Sequence, residues 1–249
     1  ILKQELINDL IRILICYRQN CSPNSSPQQL ILPEYLKLLP LYINSFLNSD
    51  CINGGREIPP DDKSYSLYFS LSCTLKDTNS MFYPRLLDVL SMISINEQIN
   101  ESQEGYSCEY CLPNGIIQIR SSYERLNSTK IYLLENGINI FIWMGKQIDP
   151  NIYYNLFGNE NTDQFDGVVL DHLPSIDSQL SISLSNLIAQ IRKLRCRFLR
   201  IYICQQDHKS EYFFKKYLCE DRGGNSNNNS SYVEFLCMLH QEIRKNLSD

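Results

Sequence analysis

The sequence predicts an α+β chain: an all-α helical part followed by a part in which a central β-sheet lies between helices. Three observations lead there. Leu2, Leu6, Leu10, Ile13, Leu14 and Tyr17 recur at helical spacing at the start of the chain. From about residue 112 onward strands and helices alternate. Within that second part, "IYLLENGINIFIWMG" (131–145) loads both faces of one hairpin with large apolar side chains. A strand with two buried faces belongs in the middle of a sheet covered on both sides, usually by helices.

The elements follow in order. After the first amphipathic helix, "CSPNSSPQQ" (21–29) ends it. In "LPEYLKLLPLYINSFLNSD", Pro33 suits a first helical turn and Pro40 interrupts the apolar pattern, which predicts two short helices. Residues 64–75 support two readings. Tyr65, Leu67, Phe69, Leu71, Cys73 and Leu75 alternate as in a strand, whereas Asp61 or Asp62 suits the cap of a helix burying Tyr65, Tyr68 and Phe69. "MFYPRLLDVLSMI" reads as a helix, and the polar stretch 95–110 as a linker.

"GIIQIRSS" gives a strand. In the hairpin, Asn136-Gly137 supplies the two positive φ angles of a tight primed turn. Its second strand sets Ile138, Ile140, Ile142 and Met144 on one face against Phe141 and Trp143 on the other. Leu180, Leu184, Leu187, Ile191 and Leu194 mark a helix, 198–204 a strand, and 209–220 a helix with Phe213 and Tyr217 on one side. The last helix opens with a capping box, Ser231-x-x-Glu234, and its spacing predicts burial of Val233, Leu236, Cys237, His240, Ile243 and Leu247. Before it, "GGNSNNNSS" is a low-complexity loop.

Composition narrows the function. The 249 residues are 43% hydrophobic and 20% charged, an ordinary globular mixture. A net charge of -5 excludes a general nucleic-acid binder, which needs a positive field. No apolar run reaches the roughly 18 residues that span a bilayer. Without a starting Met or a signal-peptide pattern, the chain reads as a piece of something longer. Of ten cysteines, Cys16, Cys73, Cys196, Cys204, Cys219 and Cys237 sit in apolar periodic segments, so reduced, buried thiols in a cytosolic protein are expected.

Several separate strings together resemble one family. "IYLLENGINIFIWMG", "LPSIDSQLS", "EYFFKKYLCEDR" and "SYVEFLCMLHQEIRK" occur in the order, and at about the spacing, seen at the carboxyl end of the cargo-adaptor subunit of the inner COPII vesicle coat, the Sec-twenty-four family. "QQLILPEYLKLLPLYINSFL" and "FYPRLLDVL" are similar to that family's helical domain. The resemblance covers nearly the whole chain. It implies a helical domain over 1–110, then a gelsolin-like domain over 111–249 whose sheet lies between helices, and it implies a helix over 64–75.

Cys108-x-x-Cys111 is the metal or redox candidate, but a structural zinc needs four ligands, and Cys237 with His240, or Cys204 with His208, is the kind of pair that chance supplies in a cysteine-rich chain. The family's zinc lies in an amino-terminal domain outside this chain, so no cofactor is expected here. His172, His208 and His240 read as surface or packed residues rather than as members of a catalytic set. Gelsolin-type domains of actin regulators often bind calcium through an acidic residue entering the first hairpin strand and a Glu on the following helix. Here Lys130 stands at the first position and "PNIYYNLF" offers no carboxylate, so the calcium site is expected to be lost. Arg192, Lys193, Arg195, Arg197 and Arg200 read either as a helix end whose last turn favours cations or as a contact for anionic membrane or an acidic partner. Phe141 and Trp143 mark the core.

The resemblance implies a non-enzymatic part of a coat subunit serving transport from endoplasmic reticulum to Golgi. It would be cytoplasmic and peripheral on the membrane, paired with the companion subunit of the inner coat. It would meet the small coat GTPase indirectly, and membrane cargo through the parent protein. Two alternatives remain: a gelsolin-like domain assisting GTP hydrolysis through Arg222, as an arginine finger would, and a calcium-independent actin-binding relative.

Overall fold

The computed structural model describes residues 2–26, 28–52, 59–91, 116–158, 165–222 and 230–248. Within them, apolar side chains gather into two units, one built from 1–68 together with 219–249 and one from 69–218. The expected linker 95–110, Cys108, Cys111 and the asparagine-rich loop 225–229 lie outside the described residues.

In the first unit, α1 (Leu2–Cys21) packs against α2 (Leu39–Asn48) and α8 (Tyr232–Ser248). Leu10, Ile11 and Leu14 of α1 meet Leu47 of α2 and Phe235, Leu239 and Ile243 of α8. Pro40 does what its missing N–H demands: it sits in the first turn of α2, and the chain before it forms only a short 3-10 turn, Glu34–Leu36. Arg18, buried at the end of α1, satisfies the loop after it by donating to the carbonyls of Gln29 (2.5 Å), Ser25 (3.2 Å) and Ser26.

The capping box of α8 forms as expected. Glu234 N donates to Ser231 Oγ (3.3 Å) and Ser231 N donates to Glu234 Oε2 (2.8 Å). Burial along α8 matches expectation only in part: Ile243 is buried, while Leu236, His240 and Leu247 are half-buried. Val233 and Cys237 are exposed, and Phe235, Leu239 and Ile243 are the buried line. Phe235 and Leu239 share an i, i+4, i+8 row with Ile243, and that row packs against α1 and α2.

In the second unit a six-stranded mixed sheet runs in the order β2-β1-β3-β4-β6-β5. The strands are β1 (Arg85–Asp88), β2 (Ile117–Ile119), β3 (Ile131–Glu135), β4 (Asn139–Met144), β5 (Val169–Leu170) and β6 (Arg200–Gln205). Strand β4 pairs antiparallel with β3 and parallel with β6. A parallel neighbour requires a long crossover. Here α5 (Pro150–Phe157), capped by Asp149, and α6 (Gln179–Lys193), capped by Ser178, supply it.

That crossover covers one face of the sheet: Ile140, Ile142 and Met144 pack with Tyr153, Leu156, Leu184 and Ile191. On the other face Phe141 and Trp143 pack with Phe214 and Leu218, from and just after the short α7 (Glu211–Lys215). The two-faced hairpin is therefore closed on both sides by helices, as its sequence requires.

Several local expectations are corrected. "FYPRLLDVL" does not continue a helix: α4 (Leu75–Phe82) stops at Tyr83, and β1 enters the sheet between β2 and β3. Pro84 forces Tyr83 out of the helical region, and the adjacent Leu86 and Leu87 then fall on opposite faces of the sheet, both at 0% exposure. The helix of 209–220 shrinks to α7, with Phe214 inward and Phe213 exposed. Residues 64–72 are helical in α3 (Pro60–Ser72), as the resemblance implies; Cys73 and Thr74 leave the helix, and Leu75 opens α4. The hairpin turn is centred one residue later than expected, on Gly137 and Ile138. Gly137 has φ +76°, and Asn136 N donates to Asn139 O at 3.3 Å, so only the first central residue needs a positive φ.

Candidate functional site

The β3–β4 turn is where the second unit concentrates its buried charge. Glu135, the last residue of β3, has a fully buried carboxylate. Three donors answer it. Arg85, its register partner on β1, donates from Nη2 at 2.8 Å; Arg195 donates from Nη2 at 2.6 Å; and Gly137 N donates to Oε1 at 2.6 Å.

Arg195 continues the network into α4. Nη1 reaches Asp77 Oδ1 (3.2 Å) and Lys76 O (3.3 Å), and Nη2 reaches Ser80 Oγ (2.6 Å). Thr74, the cap of α4, holds Asp77 Oδ2 at 2.8 Å. Gly137 allows this closeness, because a Cβ there would stand 2.9 Å from Asp77 O. Two guanidiniums face two carboxylates, so the buried charges cancel, which is the condition for keeping them out of water.

A separate carboxylate, Glu211, anchors the Trp-bearing face. Its Oε1 accepts from Trp143 Nε1 (3.0 Å) and from the Tyr123 hydroxyl (3.1 Å). Its Oε2 accepts from Asp207 N (3.1 Å) and pairs with Lys215 (2.8 Å). Trp143 also lies 6.0 Å from Phe214 and 5.7 Å from Tyr132, ring centre to ring centre. The only tryptophan is thus enclosed and hydrogen-bonded. Neither carboxylate shows in the sequence as a site, because their partners come from segments far along the chain.

The basic run does not form one patch. The Arg195 side chain is 3% exposed and spent on the network above. Arg192 donates to the carbonyls of Leu199 (2.6 Å) and Asp171 (2.6 Å) and lies 4.1 Å over the Phe198 ring. Arg197 stands 5.1 Å over Phe69. Lys193 and Arg200 are exposed, and Arg200 faces Asp171 at 3.5 Å.

Lys130 Nζ lies 2.6 Å from Asp88 Oδ2, and that hydrogen bond raises the lysine pKa. The cation beside Asp88 is the chain's own ammonium, so these residues do not fit calcium. His172 packs edge-on against Phe198, His208 Nδ1 lies 3.8 Å from Asp166 Oδ2, and His240 has its Nε2 buried without a hydrogen-bond partner among the described residues. Arg222 forks onto Glu234, with Nε at 3.0 Å from Oε2. Arg222 first, then the Ser231 N–H, hold the Glu234 carboxyl down at about 2.

Among the described residues no disulfide is formed, and three of the cysteines expected to be buried, Cys16, Cys196 and Cys237, are exposed; only the strand cysteine Cys204 keeps a fully buried place among the six. Sγ of Cys73, Sγ of Cys196 and a carboxylate oxygen of Asp77 lie within 4.8 Å of one another. No sequence spacing points to that meeting.

Comparison with known proteins agrees with this architecture. The family profile described as "Sec23/Sec24 helical domain" matches residues 2–80, and that of the "Gelsolin repeat" matches 116–181. The chain is 38% identical over 246 residues to "Protein transport protein Sec24C" of Homo sapiens, covering 99% of this chain and 21% of that protein. It is 30% identical over 244 residues to "Protein transport protein SEC24 C" of Arabidopsis thaliana, covering 98% of this chain and 21% of that protein. The crystal structure of the human COPII-coat protein Sec24c superposes with a TM-score of 0.81 at 35% identity, covering 98% of this chain and 29% of that one. The chain spans about a fifth of the length of the curated relatives it matches.

Proposed function

The chain belongs to the Sec24 family of protein transport proteins, and from that membership we propose that it is the architectural carboxyl-terminal part of a COPII cargo adaptor. It holds the adaptor's shape and offers outer surfaces to the companion subunit of the inner coat, while cargo selection falls to the parent protein as a whole. The work is done at the cytoplasmic face of the endoplasmic reticulum membrane; no helix among the described residues is long and apolar enough to cross one.

The observation that carries this reading is the closure of the sheet. Both faces are filled with side chains, and the carboxylates at the turn are paired with guanidiniums, as in a part built for rigidity. A contact with anionic lipid, if made by the basic run, falls to Lys193 and Arg200, its exposed members. Arg222, engaged by Glu234, gives the GTPase-assisting alternative no support.

Recruitment to liposomes tests the proposal. The full-length adaptor, its companion subunit and the coat GTPase held in its GTP state are assembled on vesicles, with wild type compared with Arg195→Ala. Loss of recruited coat in the variant is expected, together with an unchanged single-turnover rate of GTP hydrolysis when the present chain alone is added. Acceleration by the chain, or full recruitment by a variant shown to have lost its fold, overturns the reading.

A further inference from the structure

Cys73 closes the corner between α3 and α4, its N–H donating to Phe69 O at 3.0 Å, and Cys196 sits in the turn that follows α6. The two sulfurs lie within 4.8 Å of each other. Cys196 is exposed and Cys73 half-buried, so one is open to a reagent and the other stands behind it.

Both sides of the pair are pinned. Arg195, one residue before Cys196, is bonded to Asp77, and Arg197, one residue after it, lies over Phe69. The sulfurs are therefore held as neighbours by contacts that do not involve them. A dication fits this place badly. Asp77 is already engaged by Arg195 and Thr74, and two guanidiniums stand beside the sulfurs.

We propose that Cys73 and Cys196 are a thiol–disulfide exchange site, which takes a small disulfide of the glutathione class and closes into an intramolecular disulfide. The Cys196 thiolate attacks one sulfur of the reagent, a mixed disulfide forms at Cys196, and the first small thiolate leaves. The Cys73 thiolate then attacks the Cys196 sulfur, and the second small thiolate leaves. Two protein thiols give up two electrons and two protons, and one small disulfide becomes two small thiols. The new bond ties the α3–α4 corner to the turn after α6, the same junction that Arg195 and Asp77 already join.

Burial first, and the neighbouring Cys196 second, push the Cys73 thiol up to about 11. The closing step thus draws on a small thiolate fraction at neutral pH, and its rate rises about tenfold per pH unit below that value.

The test is oxidation of the whole chain with oxidised glutathione over a pH series, followed by acid quench, alkylation and peptide mass mapping. The expected product is a peptide pair joining Cys73 to Cys196, lighter by two hydrogens than the reduced pair, forming faster as pH rises. In Cys73→Ser the reaction stops at a glutathione adduct on Cys196. In Cys196→Ser, a change at an exposed position, Cys73 takes up no adduct. Recovery of both cysteines alkylated in the wild type, a lasting glutathione adduct on wild-type Cys196, or a link from either to another cysteine overturns the proposal.

Discussion

Arg195 meets Glu135 at 2.6 Å across 60 residues of chain, in the floor of the β3–β4 turn. The same guanidinium holds Asp77, so one side chain ties the hairpin, α4 and the turn after α6 together.

Removing it leaves two carboxylates buried with one fewer cation. Arg195→Ala is expected to destabilise the second unit by roughly 3–5 kcal/mol. Urea unfolding followed by Trp143 fluorescence measures this. A midpoint equal to wild type would show that the network contributes nothing to the fold.

The pairing of Glu234 makes the start of α8 sensitive to acid. Its folded pKa, about 2, lies below the ordinary 4.5. Between those values the unfolded chain binds the extra proton, so the contribution is complete above pH 4.5 and fades as pH falls toward 2. Unfolding of wild type and Glu234→Gln, followed by circular dichroism, is expected to show a shallower pH dependence in the variant across that window, and parallel curves would contradict the assignment.

The phase of α8 is testable by a pair of truncations. Leu239→Ala empties a fully buried position and is expected to cost roughly 2–5 kcal/mol. Val233→Ala changes a residue that is 66% exposed and should stay within about 0.5 kcal/mol of wild type. Thermal melts that ranked them the other way would place the opposite face of α8 inward.

Charge reversal separates the two roles within the basic run. Lys193→Glu with Arg200→Glu, both exposed, should leave the fold intact and weaken binding of the full-length coat subunit to anionic liposomes, at about 1 kcal/mol for each cation lost. Unchanged sedimentation with the vesicles would leave these two residues without a lipid role.

The sequence made the sheet legible where the pattern was local. The β3–β4 hairpin announces itself through a glycine turn and apolar residues at both parities, and the capping box of α8 lies within four residues. Strand β1 was hidden because adjacent leucines satisfy a helical stripe as readily as a two-faced strand, and only its neighbours in the sheet decide between them. The roles of Arg195, Glu211 and Cys73 were hidden for a different reason: each is fixed by a partner that the fold, not the spacing, brings near. A run of five cations looks uniform until one of them is found to have a carboxylate on either side.

The first unit draws α1 from one end of the chain and α8 from the other, with the second unit lying between them in sequence. During synthesis Leu10 and Leu14 leave the ribosome more than two hundred residues ahead of Leu239 and Ile243, which they are to meet. The sheet unit can finish folding while those leucines still wait. The early helix is therefore the segment that a chaperone would have to shield, and a nascent chain stalled before α8 would leave it covered by α2 alone.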